Sequence, residues 1–160
     1  MRGLRFSILI FGLILLSVII SGCNSSNKVD IENKTISAFA LIKNHEEINS
    51  VEIEKKQTDK PDKIINDITW IKELIKDLES IEVMKLSQDQ DKDFMEDGKK
   101  MLKEDLRVVR LLDKEKNPCG MFLIWNTGQI YVIDIESMSG SNRTVAFLSK
   151  KKHPAIYDRL

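Results

Sequence analysis

The chain has 160 residues, and its 25 lysines and arginines are balanced by 25 aspartates and glutamates. This length suits one ordinary domain, and the balanced charge excludes the basic surplus with which nucleic-acid-binding proteins attract phosphates. With only 2 cysteines and 2 histidines, the composition also lacks the ligand clusters of a zinc site and the paired cysteines of a disulfide scaffold.

The first segment has the three parts of an export signal. Arg2 and Arg5 provide positive charge, residues 6–20 are predominantly apolar, and small polar residues follow. As a helix, the apolar part would span roughly 23 Å at about 1.5 Å per residue, short of a hydrocarbon core about 30 Å thick. A permanent membrane-spanning helix is therefore disfavoured, and residues 1–22 are predicted to be a signal peptide.

The signal ends in the order Ile20, Ser21, Gly22, Cys23, which resembles the lipobox of bacterial lipoproteins. In that family a diacylglyceryl group is attached to the cysteine sulfur, whose thiolate is a good nucleophile. A signal peptidase then cuts just before the cysteine, and the two preceding residues must be small, as Ser21 and Gly22 are. The family usually has Leu where this chain has Ile20. The resemblance implies lipid attachment at Cys23 and cleavage between Gly22 and Cys23.

The resemblance also implies a location on the extracytoplasmic side of the cell membrane. A single acyl chain anchors only marginally, at about 0.8 kcal/mol per buried CH₂, whereas a diacylglyceryl cysteine brings two chains. Residues 23–34 are predicted to be the lipidated N-terminus and a flexible tether, with a reach of roughly 17 Å for about ten residues. Residues 35–160 are expected to form a single domain. Because Cys119 is the only other cysteine, a lipidated Cys23 leaves no internal disulfide.

The first two elements of the domain are predicted to be strands, although the first is also compatible with an initial helical turn. Residues 35–43 are short and apolar, and residues 50–56 alternate Val51 and Ile53 with glutamates. A period of two is typical of a half-buried strand. The intervening residues 44–49 are polar, so the two strands are expected to form a hairpin.

An amphipathic helix is predicted over residues 67–80. Its apolar residues recur at helical spacing: Ile68, Ile71, Leu74, Ile75 and Leu78. Asn66 or Asp67 is the candidate N-cap, and Trp70 lies about 90° from the centre of the apolar face, at its boundary. This face is expected to pack on a sheet and to supply much of the core.

The next segment, residues 88–105, is strongly charged and is compatible with a weak surface helix. Three aspartates occupy alternate positions: Asp89, Asp91 and Asp93. Their spacing resembles the first ligands of an EF-hand calcium loop. However, Phe94 stands where that loop needs glycine, and Lys100 stands where it needs a bidentate glutamate. A solvated acidic segment is therefore the better interpretation.

Four short runs rich in β-branched and aromatic residues predict strands in the last third of the chain. They cover residues 106–113, 120–126, 129–136 and 144–149. Thr127-Gly128 between two of these runs predicts a tight hairpin, and Cys119 lies in a sequence that predicts a turn. Pro154 suits the first turn of a short closing helix.

This order of elements predicts an α+β domain. We expect a mainly antiparallel sheet, with one amphipathic helix packed on a face and a short C-terminal helix. By pattern alone, the order resembles small uncharacterised bacterial lipoproteins, and this resemblance carries no site residues.

The sequence contains none of the motifs of nucleotide, zinc or nucleophilic-hydrolase chemistry. His45 and His153 are the only candidates for a neutral-pH base, and neither has a local nucleophile motif. We therefore assign no catalytic residue, cofactor or metal. The leading hypothesis is a non-enzymatic interaction module, held at the outer face of the cytoplasmic membrane by its lipid and contacting an unidentified envelope protein or peptide, not nucleic acid.

Two alternatives stay open. One is a small envelope enzyme whose carboxylates come from Asp134, Glu136 and the acidic segment, residues 89–97. The other is a solute- or metal-binding lipoprotein, which needs a deep pocket or a ligand cluster. A concave pocket with convergent carboxylates would favour the enzyme.

Overall fold

The computed structural model describes residues 34–55, 60–101, 106–140 and 144–160, all within the unit Glu32–Leu160. Eight strands lie in this part of the chain: β1 Thr35–Ser37, β2 Ser50–Glu54, β3 Lys63–Ile65, β4 Glu82–Lys85, β5 Leu106–Leu112, β6 Pro118–Trp125, β7 Ile130–Asp134 and β8 Val145–Ser149. The same part contains four α-helices: α1 Ile68–Glu79, α2 Gln88–Met101, α3 Ile135–Gly140 and α4 Pro154–Arg159. Two 3-10 helices lie between β1 and β2: Ala38–Leu41 and His45–Glu47.

All of these strands form one antiparallel sheet in the order β1-β4-β8-β7-β6-β5-β2-β3. Strands β5 to β8 are a meander, to which β2 adds on one side and β4 on the other. The two outermost strands, β1 and β3, are only 3 residues long, which shortens the edges available for pairing with another chain. The sheet and its helices confirm the predicted α+β class.

The predicted hairpin between residues 35–43 and 50–56 is wrong. β1 ends at Ser37, whose hydroxyl accepts a hydrogen bond from the Phe39 amide at 3.2 Å and caps a 3-10 helix. That helix buries Ala38 in the core, where it is 1% exposed. β1 pairs with β4, and β2 pairs with β3 and β5. Local alternation predicts a strand but not its partner, because pairing is decided by distant residues.

Helix α1 covers one face of the sheet, as predicted. Ile71, Leu74 and Leu78 are at most 1% exposed and belong to the larger of two core clusters. Trp70 and Ile75 are partly buried against the same cluster. The period of 3.6 residues therefore identified the core-facing side of this helix correctly.

The helix begins where Asp67 satisfies two backbone amides, since its Oδ1 accepts from Thr69 at 2.8 Å and from Trp70 at 3.2 Å. Asp67→Ala is expected to lower the free energy of unfolding by about 1 kcal/mol, because it removes this cap. Asp67→Asn keeps an acceptor and is the matched control, with a smaller expected loss. Urea denaturation measures both variants, and equal losses would contradict the capping role.

The short closing helix is confirmed as well. Pro154 occupies its first turn, where proline lacks only an amide that would have no helical partner. Ile156 and Leu160 are each 6% exposed and join the larger core cluster. The guanidinium of Arg107, on β5, lies 4.0 Å from the centre of the Tyr157 ring and donates to the Tyr157 carbonyl at 2.6 Å.

Helix α2 packs on the opposite face of the sheet, over the smaller core cluster. Phe94 stacks on Tyr131 with ring centroids 5.5 Å apart and meets Trp125 edge-on at 5.2 Å. The Tyr131 hydroxyl donates to Asp91 Oδ1 at 2.6 Å. Burial raises the pKa of Tyr131 well above its usual value, and the Asp91 carboxylate raises it further. The charged segment is thus a surface helix, in which Asp91 is tied to the sheet.

The turn predicted around Cys119 lies before this residue, between Asp113 and Asn117. Asp113 accepts from the Asn117 backbone amide at 2.8 Å and from its side-chain amide at 2.9 Å, and these bonds lower the pKa of Asp113. Pro118 already belongs to β6, so Cys119 is a strand residue and is 3% exposed. Burial raises the pKa of its thiol, which favours the protonated form over the nucleophilic thiolate.

The predicted tight hairpin at Thr127-Gly128 is confirmed. β6 and β7 are adjacent antiparallel strands, and the Gly128 amide donates to the Trp125 carbonyl at 2.8 Å. Gly128 has a φ of +81°, in the region that favours glycine. Its carbonyl accepts from the His153 amide at 2.7 Å, so the hairpin also holds the start of α4.

Candidate functional site

An open surface groove of about 870 Å³ lies between the outer side of α1 and the chain that enters β2. Its apolar lining consists of four isoleucines: Ile48, Ile68, Ile71 and Ile75. Charged side chains of both signs surround them: Glu46, Glu47, Lys72, Lys76, Glu79, Lys114 and Glu115. His45 and Asn49 complete the lining of what we call the α1 groove.

One wall of the groove is α1 itself. Ile68, Ile71 and Ile75 follow one another at spacings of three and four residues, which places them on one side of the helix. Ile71 is 1% exposed, whereas Ile68 is 47% exposed. The prediction that Ile68 belongs to the buried face is therefore wrong. It is the first residue of the helix, and the groove rather than the core lies beside it.

The facing wall is the segment that precedes β2. Asn44 has a φ of 44°, a left-handed conformation that asparagine tolerates, and it turns the chain into the 3-10 helix His45–Glu47. Ile48 then enters the core with 6% exposure. The Asn49 amide donates to the Leu112 carbonyl at 3.0 Å, which ties the segment to the end of β5. This hydrogen bond and the buried Ile48 side chain fix this wall relative to the sheet.

The two walls differ in the sign of their net charge, although Glu79 also lines the groove on α1, and Lys114 and Glu115 add one charge of each sign. Lys72 and Lys76 project from α1, while Glu46 and Glu47 belong to the 3-10 helix. All four are exposed. In the described part of the chain, none of them forms an ion pair. Their charges are therefore free to interact with a molecule that enters the groove.

The carboxylates considered for an enzyme take part in local structure. β7 ends at Asp134, so the strand predicted to reach residue 136 is shorter. Asp134 Oδ1 accepts from the Glu136 amide at 3.1 Å, and the Ser137 hydroxyl donates to the Asp134 carbonyl at 2.6 Å. Glu136 pairs with Lys43 at 2.9 Å, and this contact raises the pKa of Lys43.

The structure does not bring these carboxylates together with the acidic segment. The side chain of Asp91, on α2, bonds to Tyr131 in the smaller core cluster. On β7, Val132 faces the larger cluster, and Asp134 lies two residues further along the strand, on the same face. The sheet therefore lies between Asp134 and Asp91.

The two histidines are also apart. The ring of His45 packs edge-on against Phe39 at 4.6 Å between centroids and lines the α1 groove. His153 precedes α4, and burial together with the nearby Lys151 charge lowers its pKa, which favours the neutral ring. Across the described ranges, no three residues of the types His, Cys, Asp and Glu are grouped as metal ligands would be.

The sites predicted at Gly22 and Cys23 lie outside the described residues. The groove was not predicted from the sequence, although the sequence contains one feature that belongs to it. Lys72 and Lys76 are four apart and so lie on one side of α1. Nothing local indicates that Glu46 and Glu47 face them.

Within residues 34–55, 60–101, 106–140 and 144–160, no helix is both long and apolar enough to span a membrane. Comparison with known proteins finds no matching family model, no matching curated protein and no matching solved structure.

Proposed function

We propose that this chain is a bacterial lipoprotein whose domain is a non-enzymatic interaction module at the outer face of the cytoplasmic membrane. The observation that carries the proposal is the order of Arg2 and Arg5, the apolar residues 6–20, and the small residues before Cys23. Two acyl chains on Cys23 make anchoring stable rather than transient. The short tether then keeps the domain within reach of the membrane surface, where effective concentration favours a membrane-associated partner.

The α1 groove supports the binding part of the proposal. It combines a partly exposed apolar lining with charged side chains that have no partners of their own among the described residues. Apolar area surrounded by polar groups is typical of an interaction surface. The carboxylates that the enzyme alternative needs are already occupied by other interactions. Asp134 accepts from the Glu136 amide, and Glu136 pairs with Lys43.

Lipid attachment is tested by the intact mass of protein extracted from membranes. The wild-type chain is expected to begin at Cys23 and to carry diacylglyceryl mass, whereas Cys23→Ala is expected to retain residues 1–22 and to carry none. Ser21→Ala keeps a small residue before the cleavage site, so it is the matched control and should be processed normally. A wild-type chain that still begins at Met1, or a mature chain without acyl mass, would refute the anchor.

The location and the class of activity have separate tests. Protease added to spheroplasts is expected to digest the domain, because it lies outside the cytoplasmic membrane. Survival of the domain until the membrane is broken would contradict that location. Turnover of an envelope substrate that is lost in a folded Asp134→Asn variant would replace the interaction module with an enzyme.

A further inference from the structure

The α1 groove is shaped for an elongated occupant. Its lining on α1 extends from Ile68 to Glu79, a distance of about 16 Å at 1.5 Å per residue, or roughly three helical turns. Along this length the exposed fraction of the isoleucine side chains is greatest at Ile68, which is 47% exposed, while Ile75 is half-buried. An occupant that buries this stripe must present apolar side chains along one line.

The walls of the groove favour a helical occupant over an extended one. An extended peptide leaves its backbone amides and carbonyls unpaired unless a strand edge receives them. The walls here are α1, the segment containing the 3-10 helix His45–Glu47, and residues 114–115 between β5 and β6, and none of these is a strand edge. A helix satisfies its own backbone and can lay an apolar stripe into such a groove.

The charged residues of the walls indicate which side chains flank the apolar stripe of the occupant. Lys72 and Lys76 on one wall attract acidic side chains, and Glu46 and Glu47 on the other attract basic ones. A uniformly anionic surface such as a lipid headgroup layer would be attracted by one wall and repelled by the other. The mixed signs therefore favour a protein segment with both kinds of charge.

From these observations we infer that the α1 groove binds an amphipathic helix of a partner protein. The helix has an apolar stripe, acidic residues along one flank and basic residues along the other. This inference rests on the proposed function as an interaction module and adds the class of partner that the module recognises.

The test uses the full, lipidated protein in phosphatidylcholine nanodiscs and two fluorescent synthetic helical peptides. Both have about twelve residues and leucines at helical spacing. The mixed peptide carries glutamates on one flank and lysines on the other, and the basic peptide carries lysines on both. Fluorescence anisotropy measures binding, and the wild-type protein is expected to prefer the mixed peptide.

Charge reversal on one wall should exchange this preference. Lys72→Glu combined with Lys76→Glu gives both walls a net negative charge, so we expect the mixed peptide to bind about tenfold more weakly and the basic peptide more tightly. Lys151→Glu combined with Lys152→Glu is the matched control, because these exposed lysines lie outside the groove lining. It makes the same change in net charge and should leave the preference unchanged.

The apolar stripe has its own variant. Ile68→Asp is expected to abolish binding of both peptides, while circular dichroism shows a folded domain, because Ile68 is largely exposed. Absence of peptide binding by the wild type, or binding that is insensitive to the Ile68 and Lys72/Lys76 changes, would overturn the inference. Self-association that depends on Ile68 would also overturn it, since a second copy would then be the occupant.

These outcomes are independent of the anchor. A lipidated Cys23 without peptide binding would remove the inferred partner and leave the lipoprotein proposal standing. Peptide binding by a chain that carries no lipid would remove the lipoprotein proposal and leave the inferred partner standing.

Discussion

Leu74→Ala is expected to lower the free energy of unfolding by about 2 to 5 kcal/mol, the range for large-to-small changes in a core. Leu74 is 0% exposed, at the centre of the side of α1 that faces the sheet. Its truncation loses apolar burial and leaves a cavity that the sheet cannot easily close, because its strands are held by backbone hydrogen bonds on both sides. Leu78→Ala, at 1% exposure, is expected to fall in the same range.

Ile68→Ala is the matched control, since it truncates an aliphatic side chain on the same helix. With 47% of Ile68 exposed, the expected loss is below about 1 kcal/mol, as for surface substitutions. Urea denaturation followed by circular dichroism measures all three variants. A loss below about 0.5 kcal/mol at both Leu74 and Leu78 would show that this face of the helix is not buried.

Gly128→Ala is expected to cost about 2 to 4 kcal/mol, from a left-handed backbone penalty of about 1 to 2 kcal/mol and a comparable steric term. Gly128 has a φ of +81°, and a Cβ added there would lie 2.3 Å from the Pro154 nitrogen and 2.6 Å from the His153 nitrogen. These are backbone atoms, so the strain must be relieved by moving the start of α4. We therefore expect the contacts of Ile156 and Leu160 with the core to weaken as well.

Gly120→Ala provides the comparison. A Cβ at Gly120 would lie 3.2 Å from Leu111 Cδ1 and 3.3 Å from Ile42 Cγ1, and both are side-chain atoms that can shift. The thermal midpoint should therefore fall much further for Gly128→Ala than for Gly120→Ala. Equal shifts would mean that the hairpin can adjust to a side chain and that its left-handed backbone is not needed.

Helix α1 carries some residues that contribute only to the core and others that line only the groove, so stability and the inferred peptide binding are expected to be separable by mutation. Leu74 and Leu78 lie against the sheet, whereas Lys72 and Lys76 line the groove. Core variants are expected to lower stability without changing which peptide is preferred. Groove variants are expected to change the preference while the domain stays folded.

The sequence by itself determined the features that depend on neighbouring residues. The spacing of Ile71, Leu74 and Leu78 identified the buried side of α1, and Asp67 was one of two predicted N-caps. Thr127-Gly128 identified a hairpin, because only a few residue pairs suit so tight a turn. The order of strand, helix and strands was sufficient for the α+β class. Lipid attachment at Cys23 stays a prediction from the same kind of local evidence.

Only the tertiary structure decided which elements meet. β1 pairs with β4 instead of β2, and Cys119 lies in a strand instead of a turn. Periodicity shows that one side of a segment is apolar, but it does not show what covers that side or where the cover ends, as at Ile68. The α1 groove is the clearest case. Its walls come from residues 45–49, helix α1 and residues 114–115, and their opposite charges face each other only because the sheet holds these distant segments together.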